Sequence, residues 1–166
     1  MLTAHELLGF MSPALAMEII TYADNDDKPL YHATMKAVAE ARKLRPVFLE
    51  REPRPKRHTQ MLSTLARPSL ELVTGNLIRA WLLKKHLPMI TEFLDALAIP
   101  HKDGVVDDLP KTMEDAKLKP ATDALLAKHP PEVVSVYLHV FNDMNEANWE
   151  NLKGLLETDR RLQLGG

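Results

Sequence analysis

The 166-residue sequence predicts an all-α fold, an irregular multi-helix bundle of about seven to nine helices forming one domain over residues 1–166. Three observations predict it. Aromatic residues make up only 5% of the chain while Leu, Ala and Met are plentiful, an apolar inventory of helix formers rather than of sheet formers. Apolar residues recur every three to four positions along most of the chain. The 12 prolines fall mostly at the joints between these periodic runs, as they must if each costs roughly 3 kcal/mol in a helix interior.

Thr3-Ala4-His5-Glu6 reads as a capping box that opens a short helix towards Met11. Ser12-Pro13 supplies an N-cap and a first-turn proline, and Leu15, Ile19 and Tyr22 follow at helical spacing up to the acidic turn Asp24-Asn25-Asp26-Asp27. Pro29 opens a third helix with Leu30, Ala33, Ala37, Ala41 and Leu44 on one face. Residues 45–57 read as a Pro/Arg-rich loop, or a single helical turn, around a brief apolar patch. Met61, Leu62 and Leu65 propose a helix ending before Pro68. Ser69 to Lys85 carries the stripe Leu70, Val73, Leu77, Trp81, and Gly75 within it suggests a close neighbouring backbone.

Pro88 opens the amphipathic run Met89, Ile90, Phe93, Leu94, Leu97. Residues 101–111 form an acidic loop turning at Gly104, and Thr112-Met113-Glu114-Asp115 repeats the capping-box pattern. Pro120 is expected to divide the next helix into two pieces. Between Pro131 and Met144 the valines favour a strand, but Val133, Val136, Tyr137, Val140 and Met144 keep a helical period, so a deeply buried helix is predicted. A last helix carries Trp149, Leu152, Leu155 and Leu156, and residues 160–166 read as an extended or loose tail. The joints Lys43-Leu44-Arg45-Pro46, Lys85-His86-Leu87-Pro88 and Lys128-His129-Pro130-Pro131 echo one another, so a short HEAT- or armadillo-like helical array is the alternative fold.

Absence of cysteine excludes disulfides, thiolate metal sites and a cysteine nucleophile. The N-terminal residues are interrupted by His5, Glu6 and Pro13 and lack the layout of a signal peptide, and no apolar run approaches the ~20 residues needed to span a bilayer. A cytoplasmic protein without membrane contact is expected. The first 83 residues hold 11 Lys/Arg against 9 Asp/Glu and the last 83 hold 10 against 14, an asymmetry too mild to imply nucleic-acid binding by the whole domain.

G-x-S-x-G, Walker, G-x-G-x-x-G, H-E-x-x-H, Glu-x-x-His and EF-hand patterns do not occur. The leading expectation is therefore a non-enzymatic interaction or scaffold module, binding a protein partner or a second copy of itself, with no cofactor and no metal. A second reading is an enzyme or metal-binding protein centred on His139 and Asp143, whose i, i+4 spacing lets the carboxylate hold one ring nitrogen, with Asn142 beside them. Against it stands a plain polar stripe on a buried helix. A third is nucleic-acid binding through Arg51, Arg54, Lys56, Arg57 and His58, which Glu50 and Glu52 dilute and no aromatic side chain interleaves. Asp103, Asp107 and Asp108 supply too few oxygen ligands at calcium-loop spacing and read as a solvated loop. Trp81 and Trp149 read as core residues, and His86 and His129 as caps near helix C-termini.

Overall fold

The computed structural model describes residues 1–165. Its ten α-helices are α1 (Ala4–Phe10), α2 (Pro13–Asp26), α3 (Lys28–Ala41), α4 (Pro46–Glu50), α5 (Arg54–Leu65), α6 (Glu71–Lys85), α7 (Leu87–Ala96), α8 (Asp115–Lys128), α9 (Pro131–His139) and α10 (Glu150–Thr158). Short 3-10 turns lie at Pro68–Leu70 and Arg160–Leu162, and a π-helical turn, Val140–Met144, prolongs α9. The fold is all-α: among the described residues there is no strand, only an isolated bridge between Lys102 and Val105. The valine-rich segment is helical, as its period requires.

Seven prolines sit at the first or second position of a helix or 3-10 turn, where the missing N–H would have had no partner anyway. Four expectations need correction. Residues 45–57 are not a loop: Pro46 and Pro55 start α4 and α5, because a proline in the first turn presets helical φ. Pro120 does not divide α8. It lies one turn from the helix start, and both it and Ala116, whose carbonyl loses its donor, are exposed to water, while Leu118, Ala121, Thr122 and Leu125 hold one continuous buried face. The second capping box does not form, for Glu114 is the N-cap without a side-chain bond; instead Asn151 Nδ2 donates to Met113 O at 2.7 Å and to Asp115 at 2.9 Å. The tail is anchored as far as Leu162, whose side chain is fully buried and whose carbonyl accepts from the Ser135 hydroxyl; Gly166 lies outside the described residues.

Packing divides the chain into two compact units, residues 3–81 and residues 82–164, the second including Met1 and Leu2. In the first, α2 packs on α3 and α5, and α4 packs on α3, burying Ile19, Ile20, Val38, Leu49, Met61 and Leu65. In the second, Phe93, Phe141 and Trp149 stack edge to face, with centroids 5.3 Å apart for Phe93–Phe141 and 5.1 Å for Phe141–Trp149. Tyr137 joins them 5.6 Å from Phe93. No described helix is long and apolar enough to cross a membrane.

α3 and α7 end alike. At α7, Ala98 has φ 55° and its N–H donates to Asp95 O at 3.0 Å, while Ile99 N–H reaches Leu94 O at 2.9 Å. This 6→1, 5→2 pair is a Schellman ending, which favours glycine at the left-handed position because a Cβ there costs ~1–2 kcal/mol. Ala98→Gly is expected to raise stability by about 1 kcal/mol in urea unfolding, while Ala96→Gly, one residue inside the helix end, gives no gain. Equal effects of the two would refute the assignment. At α3 the left-handed residue is Lys43 (φ 56°), with Leu44 N–H donating to Ala39 O at 2.8 Å.

Candidate functional site

His139 closes α9 and is buried. Its Nδ1 accepts the Leu2 backbone N–H at 3.2 Å, which leaves the neutral ring its proton on Nε2. Burial, reinforced by the nearby N-terminal ammonium, pushes its pKa down to about 4, so the ring is neutral at pH 7 and a weak base. Asn142 spends its amide on the 142–149 loop. Its Oδ1 accepts Trp149 N–H at 2.7 Å, and Nδ2 donates to Trp149 O at 3.3 Å and approaches Met1 Sδ at 3.2 Å. These bonds hold a loop in which Glu146 (φ 63°) and Asn148 (φ 52°) are left-handed. Asp143 is half-buried on the π-turn, where Asn145 N–H reaches back five residues to Val140 O at 2.9 Å. The turn is wider there than the α-geometry on which the His139/Asp143 spacing was counted.

The basic segment is arranged quite differently from a solvated loop. Arg51 caps α4 and is exposed, but Arg54, Lys56, Arg57 and His58 lie on α5, and His58 is buried. Asp24, near the end of α2, is buried and gathers this group. Its Oδ1 accepts Lys28 Nζ at 2.8 Å; its Oδ2 accepts Arg54 Nε at 3.0 Å and lies 3.1 Å from His58 Nε2. The Tyr31 hydroxyl lies 3.1 Å from the same Nε2 and accepts Arg57 Nη1 at 3.2 Å, and Arg57 Nη2 donates to Glu52 O at 3.2 Å. Lys56 pairs with Glu52 at 3.2 Å. Burial alone would raise the Asp24 pKa, but Lys28, Arg54 and His58 outweigh it and hold the carboxyl below its usual range. At His58 burial prevails over the attraction of Asp24, and the pKa is lowered. Burial raises the Tyr31 pKa, against the pull of Arg57. Asp24, Tyr31, Arg54, Arg57 and His58 thus tie α2, α3 and α5 together.

The hub reaches the chain just after α4 through the Arg57–Glu52 bond, and the α3–α4 link together with α4 carries one exposed apolar group of the 3–81 unit, which also exposes Phe10 and Leu72. Leu49 is buried and anchors the turn, while Leu44, Val47 and Phe48, at i, i+3 and i+4, are 40%, 37% and 52% exposed. Lys43, Arg45 and Arg51 flank them and are exposed. Phe48 and two aliphatic side chains thus lie exposed in a segment that also exposes three cations and the carboxylate of Glu50. Sequence reasoning noted the apolar patch but not its exposure. It set Asp24 aside with Asp26 and Asp27 as a solvated acidic turn and did not single out Tyr31; the available signal was that Asp24-Lys28-Tyr31 and Arg54-His58 both follow helical spacing with complementary charge.

In the 82–164 unit, Asp103, Asp107 and Asp108 are exposed on the loop before α8. Among the described residues no group of three or more His, Asp or Glu side chains is placed to hold a metal ion. No protein-family model matches the chain, and no curated protein or solved structure does.

Proposed function

We propose that this chain is a non-enzymatic protein-interaction module that docks its partner on the α3–α4 corner. The observation that carries the reading is Phe48, a rigid aromatic side chain 52% exposed on α4 next to Val47 and one turn from Leu44 in the chain, with the following helix α5 tied to α2 and α3 through the Asp24 hub. Burying such a ring with its two aliphatic neighbours supplies several kcal/mol at roughly 25 cal/mol per Å², and the pinned backbone keeps the ordering cost small. Lys43, Arg45 and Arg51 select for Asp or Glu at the rim of the partner and speed its encounter. The neutral, buried His139 and the amide of Asn142, committed to Trp149, fit a structural part for the α9 end.

Selection from a displayed peptide library tests this. Enriched peptides are expected to share apolar anchors flanked by Asp or Glu, to bind more weakly as salt rises, and to lose at least about 2 kcal/mol of affinity when Phe48 becomes Asp. Enrichment of basic peptides, or binding indifferent to Phe48→Asp, would overturn the proposal.

A further inference from the structure

The 82–164 unit carries a feature complementary to that corner. Lys102 N–H donates to Val105 O at 2.9 Å and Val105 N–H donates to Lys102 O at 3.0 Å, closing a two-residue turn whose central Asp103 and Gly104 both have positive φ, 50° and 82°. Asp-Gly in such a mirror-image turn is the favoured tight hairpin connection, so the turn is rigid rather than loose. It is also held down: a Cβ on Gly104 would stand 2.9 Å from Leu87 Cδ1 and 3.1 Å from Ile90 Cγ2, and Gly104 N–H donates to His101 Nδ1 at 3.1 Å. Val105, at the end of this turn, is 57% exposed. Exposed Asp103, Asp107 and Asp108 surround it in the chain. The turn carries exposed Lys102 against Asp103, Asp107 and Asp108, a net negative charge, and the corner carries exposed Glu50 against Lys43, Arg45 and Arg51, a net positive one, so a β-branched apolar side chain on a preformed acidic turn complements an apolar basic corner.

Building on the docking role of the α3–α4 corner, we propose that one occupant of it is a second copy of this chain, whose Val105 turn seats against Leu44, Val47 and Phe48 while Asp103, Asp107 and Asp108 face Lys43, Arg45 and Arg51. The contact is head to tail, because the two faces differ: in a pair joined by one such contact, one copy keeps a free plug and the other a free corner, on which further copies add. A single hairpin tip on a single helical turn buries less than the ~1,200 Å² of a stable complex, so association is weak, with Kd on the order of 0.1–1 mM, and salt-sensitive.

Sedimentation velocity on the full chain tests this, with Phe48→Asp to remove the corner and Val105→Ser to remove the plug; both positions are exposed, so folding is retained and is checked by circular dichroism. The weight-average mass of the unaltered chain is expected to rise with concentration and to rise less in 0.5 M salt (about 4 Å Debye length). Each variant alone is expected to stay monomeric, and an equimolar mixture to form dimers and nothing larger, because one variant retains the plug and the other the corner. An unaltered chain that stays monomeric up to about 1 mM, a mixture that stays monomeric, or either variant assembling alone would overturn the inference. The library selection separates the two failures: peptides that bind through Phe48 without self-association leave the docking corner standing and remove only the second copy as its occupant.

Discussion

Asp24→Ala is expected to lower the stability of the chain by about 3 kcal/mol, whereas Arg54→Ala and Lys28→Ala each cost about 1 kcal/mol or less. The asymmetry follows from where each partner goes once the bond is lost. The Lys28 and Arg54 side chains are 57% and 60% exposed and return to water, while the Asp24 side chain is 3% exposed. Removing the carboxylate leaves the Nε2 of His58, buried on α5, without its carboxylate partner and beside only the Tyr31 hydroxyl, which already accepts from Arg57. The cost is the desolvation of groups left behind rather than the worth of a surface ion pair. Urea midpoints with unchanged slope measure it, and an Arg54→Ala loss equal to that of Asp24→Ala would place the energy in the ion pair instead. Because the carboxyl is held below its usual value, this part of the stability is complete above the ordinary carboxylate range and is lost as pH falls through the lowered folded value.

The same hub shows where a sequence stops being legible. Helices were legible because their determinants are local: Val133 to Phe141 repeats every three to four residues, and this period decides against the strand preference of its valines, while Pro13, Pro29, Pro88 and Pro131 mark helix starts by the geometry of one ring. Asp24 sits in the run Asp24-Asn25-Asp26-Asp27, and its neighbours alone describe a solvated acidic turn. Its decisive partner, His58, is 34 residues away. Arg54, Arg57 and His58 read as one basic surface run for the same reason: charge adds up along a sequence, but in the structure it is divided among acceptors that helix packing brings near. Pro120 misled because the rule against interior proline assumes a carbonyl that cannot reach water, and Ala116 is exposed. The α3–α4 corner stood between these cases, since the sequence exposes its apolar composition and only the burial of Leu49 shows which side faces out.

Acid is expected to weaken the 82–164 unit through His139 before most carboxylates titrate. In the unfolded chain the imidazole has its ordinary pKa of about 6.5, and in the folded chain burial and the N-terminal ammonium lower it to about 4. Above pH 6.5 both states hold the ring neutral and the residue contributes no pH dependence. Between pH 6.5 and 4 the unfolded chain takes up the proton and the folded one does not, so stability falls with falling pH, by at most about 3 kcal/mol at 1.36 kcal/mol per pKa unit. His58 has a lowered pKa of the same sign, which calls for a difference measurement rather than a single curve. In His139→Gln a side-chain carbonyl replaces Nδ1 as acceptor for the Leu2 N–H, and His58 is untouched, so its share cancels between the two proteins. The unaltered chain is expected to lose about 2–3 kcal/mol more than His139→Gln between pH 7 and pH 4. Parallel stability curves would mean that the ring is protonated in place, and the Leu2 N–H would then have to leave Nδ1, which a His139 titration by NMR near pH 6.5 would report directly.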